Sequence, residues 1–170
     1  MIIKILAHQT HSNLMKNKIN LSVVIPCYNE ENTILDIVNK VILNINQKDE
    51  IIIVNDCSKD ETSKKLTEIE KNHKQIKILT HETNQGKGAA LQTAFKECKN
   101  DIIIIQDADL EYDPRDYENL LVPFLDANAD VVYGSRLTRA RATNIIGFPN
   151  YIANFLVTFL TNLLYNKIFT

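Results

Sequence analysis

Gln106-Asp107-Ala108-Asp109-Leu110-Glu111 follows directly on an apolar run, Ile102 to Ile105, and sets three carboxylates at alternate positions. Like charges at that spacing repel one another, so the pattern calls for a cation or a cationic ligand. Oxygen donors of this kind suit a hard divalent ion, Mg2+ or Mn2+, which can also bridge a substrate diphosphate. A solvated acidic turn capping the next helix accounts well for Glu111 and Asp113. It accounts poorly for Asp107, which abuts the buried run, and there the metal reading is preferred.

Other polar residues of uncommon type also follow apolar runs. Pro26-Cys27-Tyr28-Asn29-Glu30-Glu31 pairs a rigid turn with a phenol able to stack on a base. Capping explains Asn29, and the helix dipole explains Glu30 and Glu31, as well as any binding role does. In Asn55-Asp56-Cys57-Ser58 the carboxylate of Asp56 could accept from a base or ribose; taken alone, it reads first as a turn acid bonding its own backbone. Asn84-Gln85-Gly86-Lys87-Gly88 opens a helix with two glycines around a lysine, where free N–H groups and a helix start suit a phosphate. It lacks the GxxxxGK[ST] spacing of a P-loop. Gly134-Ser135-Arg136 ends the series with a guanidinium suited to bidentate phosphate contact, with Arg139 and Arg141 nearby, although surface solubility explains any one of these arginines.

The elements that position these residues are read from periodicity. LSVVIP (21–26), EIIIVN (50–55), IKILT (76–80), DIIIIQ (101–106) and DVVYG (130–134) are strand-length apolar runs of the kind buried on both faces of a sheet. Helical patterns lie between them. Ile34, Leu35, Val38, Val41, Ile42 and Ile45 form one stripe, and Ser58 with Glu61 has capping-box spacing before a helix that turns Leu66 and Ile69 inward. Gly86 to Lys99 carries Ala90, Leu91, Ala94, Phe95 and Cys98 inward. Asp113-Pro114 starts a last helix with Tyr117, Leu120, Leu121, Phe124 and Leu125 on its apolar face, which Pro123 should kink or shorten. Alternating strands and helices predict an α/β fold with a mostly parallel sheet flanked by helices, whose ligands bind at the carboxyl ends of the strands. The polar clusters all fall there.

The chain has 170 residues, 45% of them hydrophobic and 24% charged, which suits one domain with a real core rather than two. Lys and Arg total 19 against 21 Asp and Glu, so the formal charge of -2 gives no general reason to expect nucleic acid as a partner. Three cysteines without CxxC spacing, in a chain with no secretory signal, point to reduced thiols in the cytoplasm and away from a zinc site. Residues 1–20 read as a leader, either disordered or an extra edge strand, and translation starting at Met15 would remove most of it. Residues 21–141 read as the α/β domain that carries the polar clusters.

In this order, VIPCYNEENTI, IIIVNDCSKDET, NQGKGAALQTAF, DIIIIQDADLEYDP and DVVYGSR resemble the family 2 glycosyltransferases of Rossmann-like GT-A fold, and most closely the dolichol-phosphate mannosyltransferase-like, polyprenyl-phosphate branch. The resemblance covers about residues 20–165. It implies an inverting hexosyltransferase (EC 2.4) with a nucleotide diphosphate sugar donor, GDP-mannose or UDP-glucose. By matching positions, Pro26, Tyr28, Glu30, Val54 and Asp56 would hold base and ribose, and Lys87 and Arg136 would lie near the diphosphate. Asp107, Ala108 and Asp109 match the DxD motif, with Asp109 the main metal ligand and Glu111 a further one. Asp109 and Arg136 are the residues the resemblance makes catalytic. The acceptor would be a polyprenyl or dolichyl phosphate, whose anionic oxygen needs no strong base, or else a saccharide, which does need one. Branch members usually continue past this length, so the chain also reads as a shortened form, in the limit a non-catalytic nucleotide-sugar-binding fragment. A sugar-nucleotide pyrophosphorylase would instead carry a basic Gly-rich loop after its first strand, and an aspartyl-nucleophile phosphatase its DxD there.

From Ala142 to Asn166 no residue is charged. Residues 142–170 project as an amphipathic helix with Ile152, Phe155, Leu156, Phe159, Leu160, Leu163 and Leu164 on one face, too interrupted by Asn150, Asn154 and Asn162 to span a bilayer. Such a face packs on its own domain or a second copy of the chain, or else lies peripherally at the cytoplasmic face of a membrane.

Overall fold

A computed structural model describes residues 2–5 (backbone only), 19–126, 129–134, 157 and 159–161. The elements run β1 (Ile2–Ile5), β2 (Leu21–Cys27), α1 (Ile34–Ile42), β3 (Glu50–Asn55), α2 (Thr62–Asn72), β4 (Ile76–Thr80), α3 (Lys87–Phe95) and β5 (Ile102–Ile105). A 3-10 turn (Pro114–Asp116), α4 (Tyr117–Asp126) and β6 (Val131–Tyr133) follow. The strands form one sheet in the order β4-β3-β2-β5-β1-β6. β4, β3, β2 and β5 are parallel, with Val24 opposite both Ile52 and Ile105. β1 is antiparallel to both its neighbours, β5 and β6. The leader therefore adds a strand, but an internal one, not the edge strand expected.

Continuous apolar runs form these central strands because both faces are covered. On one face Val23, Ile25, Ile51, Ile53, Ile102 and Ile104 pack with Ile34, Ile37, Val38 and Val41 of α1, Leu66 and Ile69 of α2, and Tyr117, Leu120 and Phe124 of α4. On the other face Val24, Ile52, Val54 and Ile103 pack with Ala90 and Ala94 of α3. Each such Ile or Val contributes about 1.5–3 kcal/mol by leaving water. The small alanines let α3 lie close on the sheet.

Details depart from the helical patterns. Ile37 is fully buried while Leu35 is half-exposed, because the stripe of α1 runs i, i+3, i+4, i+7 from Ile34. Phe95 likewise faces outward. Ser58 and Glu61 make no capping box: α2 starts at Thr62, with no side-chain bond from Glu61, and the Ser58 hydroxyl accepts the Asn29 N–H instead. Asp113 does cap, accepting the Arg115 N–H, although it opens the 3-10 turn that leads into α4. Pro123 lies inside α4, which continues to Asp126.

The chain steps outward from β2 through β3 to β4, then returns past β2 to β5. That reversal opens a crevice at the carboxyl ends of β2 and β5, where open α/β sheets bind ligands. Contacts divide the chain into two units, Met1–Tyr133 and Gly134–Thr170. In the second, Val157 and residues 159–161 are helical, with Val157, Phe159 and Leu160 exposed. No helix among the described residues is long and apolar enough to cross a membrane.

Candidate functional site

Each loop that leaves the carboxyl end of a parallel strand turns through a left-handed residue: Asn29 (φ 55) after β2, Cys57 (φ 62) after β3, Gly86 (φ 85) after β4 and Leu110 (φ 65) after β5. Asn tolerates this conformation and glycine adopts it freely, whereas Cys and Leu are held in it by their surroundings. At Gly86 it is the backbone, not space, that demands glycine, since an added Cβ would meet nothing within 4 Å. These turns are braced across the strand ends. The Asn29 side chain accepts the Lys59 N–H, Thr62 accepts the Glu30 N–H, and Asp60 accepts those of Glu31 and Thr62. Burial alone would raise the Asp60 carboxyl; the bonds from Thr62 and Glu31 outweigh it and hold it below the usual carboxylate range.

Between these loops lies a cleft of about 210 Å³, lined by Pro26, Cys27, Tyr28, Glu30, Asp56, Lys87, Ala90, Asp107, Ala108 and Asp109. Most of the residues singled out from sequence thus meet in one place, drawn from β2, β3, α3 and the turn after β5. Tyr28 is 43% exposed at the cleft wall, its ring free to stack. α3 begins at Lys87 and its first helical bond runs from the Ala90 N–H to Gly86, so the helix presents its N-terminal turn to the cleft. The Lys87 ammonium pairs with Asp107 at 2.6 Å, bringing the phosphate-type and cation-type residues together. Ala108, 4% exposed, packs into the core between the two acids and pins their turn.

Two assigned residues do not stand as expected. The Val54 side chain is fully buried against α3 and leaves a ligand nothing to touch. Glu111 does not line the cleft; its own N–H donates to Asp109 Oδ1 at 3.0 Å, closing the turn that holds Leu110 left-handed. Arg136, Ser135, Arg139 and Arg141 lie outside the described residues, as does most of the 142–170 segment.

Asp56 is the residue whose setting sequence reading could not supply. It is 3% exposed, and its carboxylate accepts the Gln85 N–H (2.9 Å), the Gly86 N–H (2.7 Å) and His81 Nδ1 (2.6 Å). A carboxylate can only accept, so His81 carries its proton on Nδ1; its Nε2 meets the Thr93 hydroxyl at 2.9 Å. Burial pushes the Asp56 carboxyl up, but the bonds from Gln85, His81 and Gly86 together hold it below the ordinary range. Asp56 and His81 thereby fasten the loop that presents Lys87. His81 was missed: it falls in no motif, and only folding brings it here; Cys27 stands inside VIPCYNEENTI but was given no role there. The Cys27 thiol is pushed up to about 12, chiefly by burial and then by Glu30 and Asp60.

Among the described residues no three ligating side chains converge on a ready cation site. Asp107 and Asp109 nevertheless line one cleft, and two carboxylates completed by phosphate oxygens and water are the usual donor set of Mg2+ or Mn2+. Asp107 and Asp109 fit such an ion as a pair.

Comparison with known proteins bears on this cleft. The profile of glycosyl transferase family 2 matches residues 22–168. The UDP-N-acetylglucosamine–dolichyl-phosphate N-acetylglucosaminyltransferase of Methanococcus voltae is 32% identical over 156 residues, 83% of this chain and 61% of that protein. The undecaprenyl-phosphate 4-deoxy-4-formamido-L-arabinose transferase of Proteus mirabilis is 37% identical over 131 residues, 73% of this chain and 38% of that protein. Among solved structures, the mannosyltransferase PcManGT from Pyrobaculum calidifontis, in complex with GDP-Man and Mn2+, has a TM-score of 0.56 and 26% identity over 63% of this chain and 32% of its own. The sheet flanked by helices is the GT-A fold of such neighbours. The chain spans less than two thirds of the length of these relatives.

Proposed function

Because the chain belongs to glycosyl transferase family 2, we propose that it transfers a hexose, with inversion, from a nucleotide diphosphate sugar such as GDP-mannose or UDP-glucose to a polyprenyl or dolichyl phosphate, using Mg2+ or Mn2+. The observation that carries this reading is the meeting of Tyr28, Asp56, Lys87, Asp107 and Asp109 in one cleft at the reversal of strand order. The lipid-phosphate relatives support the acceptor, and the GDP-Man and Mn2+ complex supports donor and ion.

In this reading Tyr28 stacks on the base. Asp56, saturated by its own loop, shapes the base and ribose end of the cleft and keeps Lys87 in place. Lys87 exchanges its bond to Asp107 for a diphosphate oxygen, and Asp107 and Asp109 hold the divalent ion. The ion supplies Lewis acidity, stabilising the charge that gathers on the departing nucleoside diphosphate. Arg136, carried by the resemblance alone, adds positive charge to that leaving group. A lipid phosphate is already anionic, so the cleft needs no strong general base.

Asp109→Asn keeps the shape of the turn and removes the charge. It should abolish Mn2+-dependent donor turnover, measured as nucleoside diphosphate release and transfer to polyprenyl phosphate; unchanged turnover would refute the assignment. A chain that binds UDP or GDP with Mn2+ in calorimetry yet transfers nothing would be a donor-binding fragment. Exposed Val157, Phe159 and Leu160 support peripheral membrane contact near a lipid acceptor. Liposome flotation of the chain beside a Phe155→Asp, Phe159→Asp variant tests it, and absence of the parent chain from the lipid fraction would end the idea.

A further inference from the structure

Gln106 separates the buried Ile102–Ile105 run from the acids, and it is itself 0% exposed. Its Nε2 donates to the carbonyl of Asp107 and to that of Tyr112, both at 3.0 Å. Carbonyls only accept, so this fixes which end of the amide faces the turn. The Oε1 accepts the Tyr117 O–H at 2.8 Å in a buried bond, while the Gln106 backbone N–H donates to Val24 at 2.9 Å. A single side chain thus gathers both ends of the turn that carries Asp107 and Asp109, and Tyr117, 2% exposed at the start of α4, holds that side chain in orientation. Inside the gathered turn Leu110 is left-handed (φ 65), a conformation a bulky residue keeps only where its surroundings over-determine it.

We propose that Gln106 and Tyr117 are positioning residues for the cation: by closing the 107–112 turn they set the separation and direction of the Asp107 and Asp109 carboxylates. This rests on the reading of those two acids as the ion's ligands. Outer partners that orient ligands typically change metal affinity about 10- to 100-fold when removed. Tyr117→Phe deletes the hydroxyl that orients the amide. Gln106→Met is close in size and cannot donate to either carbonyl.

The test is Mn2+ titrated into the full chain with saturating UDP or GDP, followed by the electron paramagnetic resonance signal of free Mn2+, beside thermal unfolding of the same samples. The expected result is a loss of Mn2+ affinity of about tenfold or more in both variants, measured on folded protein, with nucleotide affinity in the absence of Mn2+ unchanged. A purely structural role would lower the unfolding temperature and leave Mn2+ affinity as in the parent, and that result overturns the proposal. If Gln106→Met does not fold, Tyr117→Phe decides alone. A parent chain that takes up no Mn2+ with either nucleotide would sink the reading of Asp107 and Asp109 themselves. Parent uptake lost in Asp109→Asn but kept in both positioning variants would sink only the role of Gln106 and Tyr117.

Discussion

Asp56→Asn tests whether the loop that presents Lys87 is built by a buried carboxylate. In the folded chain that carboxylate accepts from two backbone amides and from His81, and almost none of it meets water. Asparagine keeps one acceptor oxygen and turns an NH2 toward a group that also donates. At least one charge-assisted bond is lost and one buried donor is left facing another donor. The loss should be about 3 kcal/mol, from roughly 1.5–3 kcal/mol for a hydrogen bond to a charged group and a further 1–3 for an orphaned buried donor. For a chain of this size that lowers the unfolding temperature by roughly 6–12 °C. Urea unfolding followed by circular dichroism measures the stability, and amide hydrogen exchange at Gln85 and Gly86 measures the local effect. A loss below about 1 kcal/mol, well under the range for a buried charge-assisted bond, with both amides protected as in the parent, would refute the reasoning. The parent has a matching pH dependence. The folded carboxyl titrates below its unfolded value of about 4, so its stabilisation is complete above that pH and fades as pH falls through the lower folded value. In Asp56→Asn that part of the acid loss should be missing.

Lys87→Met should weaken UDP or GDP binding about tenfold or more, the scale of one charge-assisted bond to phosphate, and leave uridine or guanosine binding unchanged. Equal losses for nucleotide and nucleoside in calorimetry would contradict a phosphate role. For the cysteines, iodoacetamide at pH 8 should modify part-exposed Cys57 well before Cys27, whose buried thiol is held at about 12. Peptide mapping that found Cys27 alkylated first in the folded chain would show that the wall of the cleft opens.

The fold was legible wherever one residue type repeats with one period. EIIIVN and IIII read as strands because only a doubly covered strand tolerates unbroken Ile and Val, and both form central strands of the sheet. The acids after β5 and the lysine at the start of α3 were legible as well, since their types are unusual beside buried runs. Choices between near-equivalent neighbours were less so. Leu35 and Ile37 are both apolar, and only the rotation of α1 against the sheet decides that Ile37 is inside. Ser58 and Glu61 have capping spacing, but the Asn29 loop, far off in sequence, claims the serine hydroxyl.

By itself, then, the sequence determined which residues carry charge or a chemistry suited to phosphate and that they follow strands, because hydrophobic period and residue type are local properties of the chain. Tertiary structure alone decided how they are used. It turned Val54 into the core, left Glu111 off the cleft lining and joined Lys87 to Asp107. It also closed Asp56 onto Gln85, Gly86 and His81, and Gln106 onto Tyr112 and Tyr117. The physical reason is that a hydrogen bond or ion pair is set by distances of about 3 Å between groups, often far apart along the chain, and only the packed sheet specifies those distances.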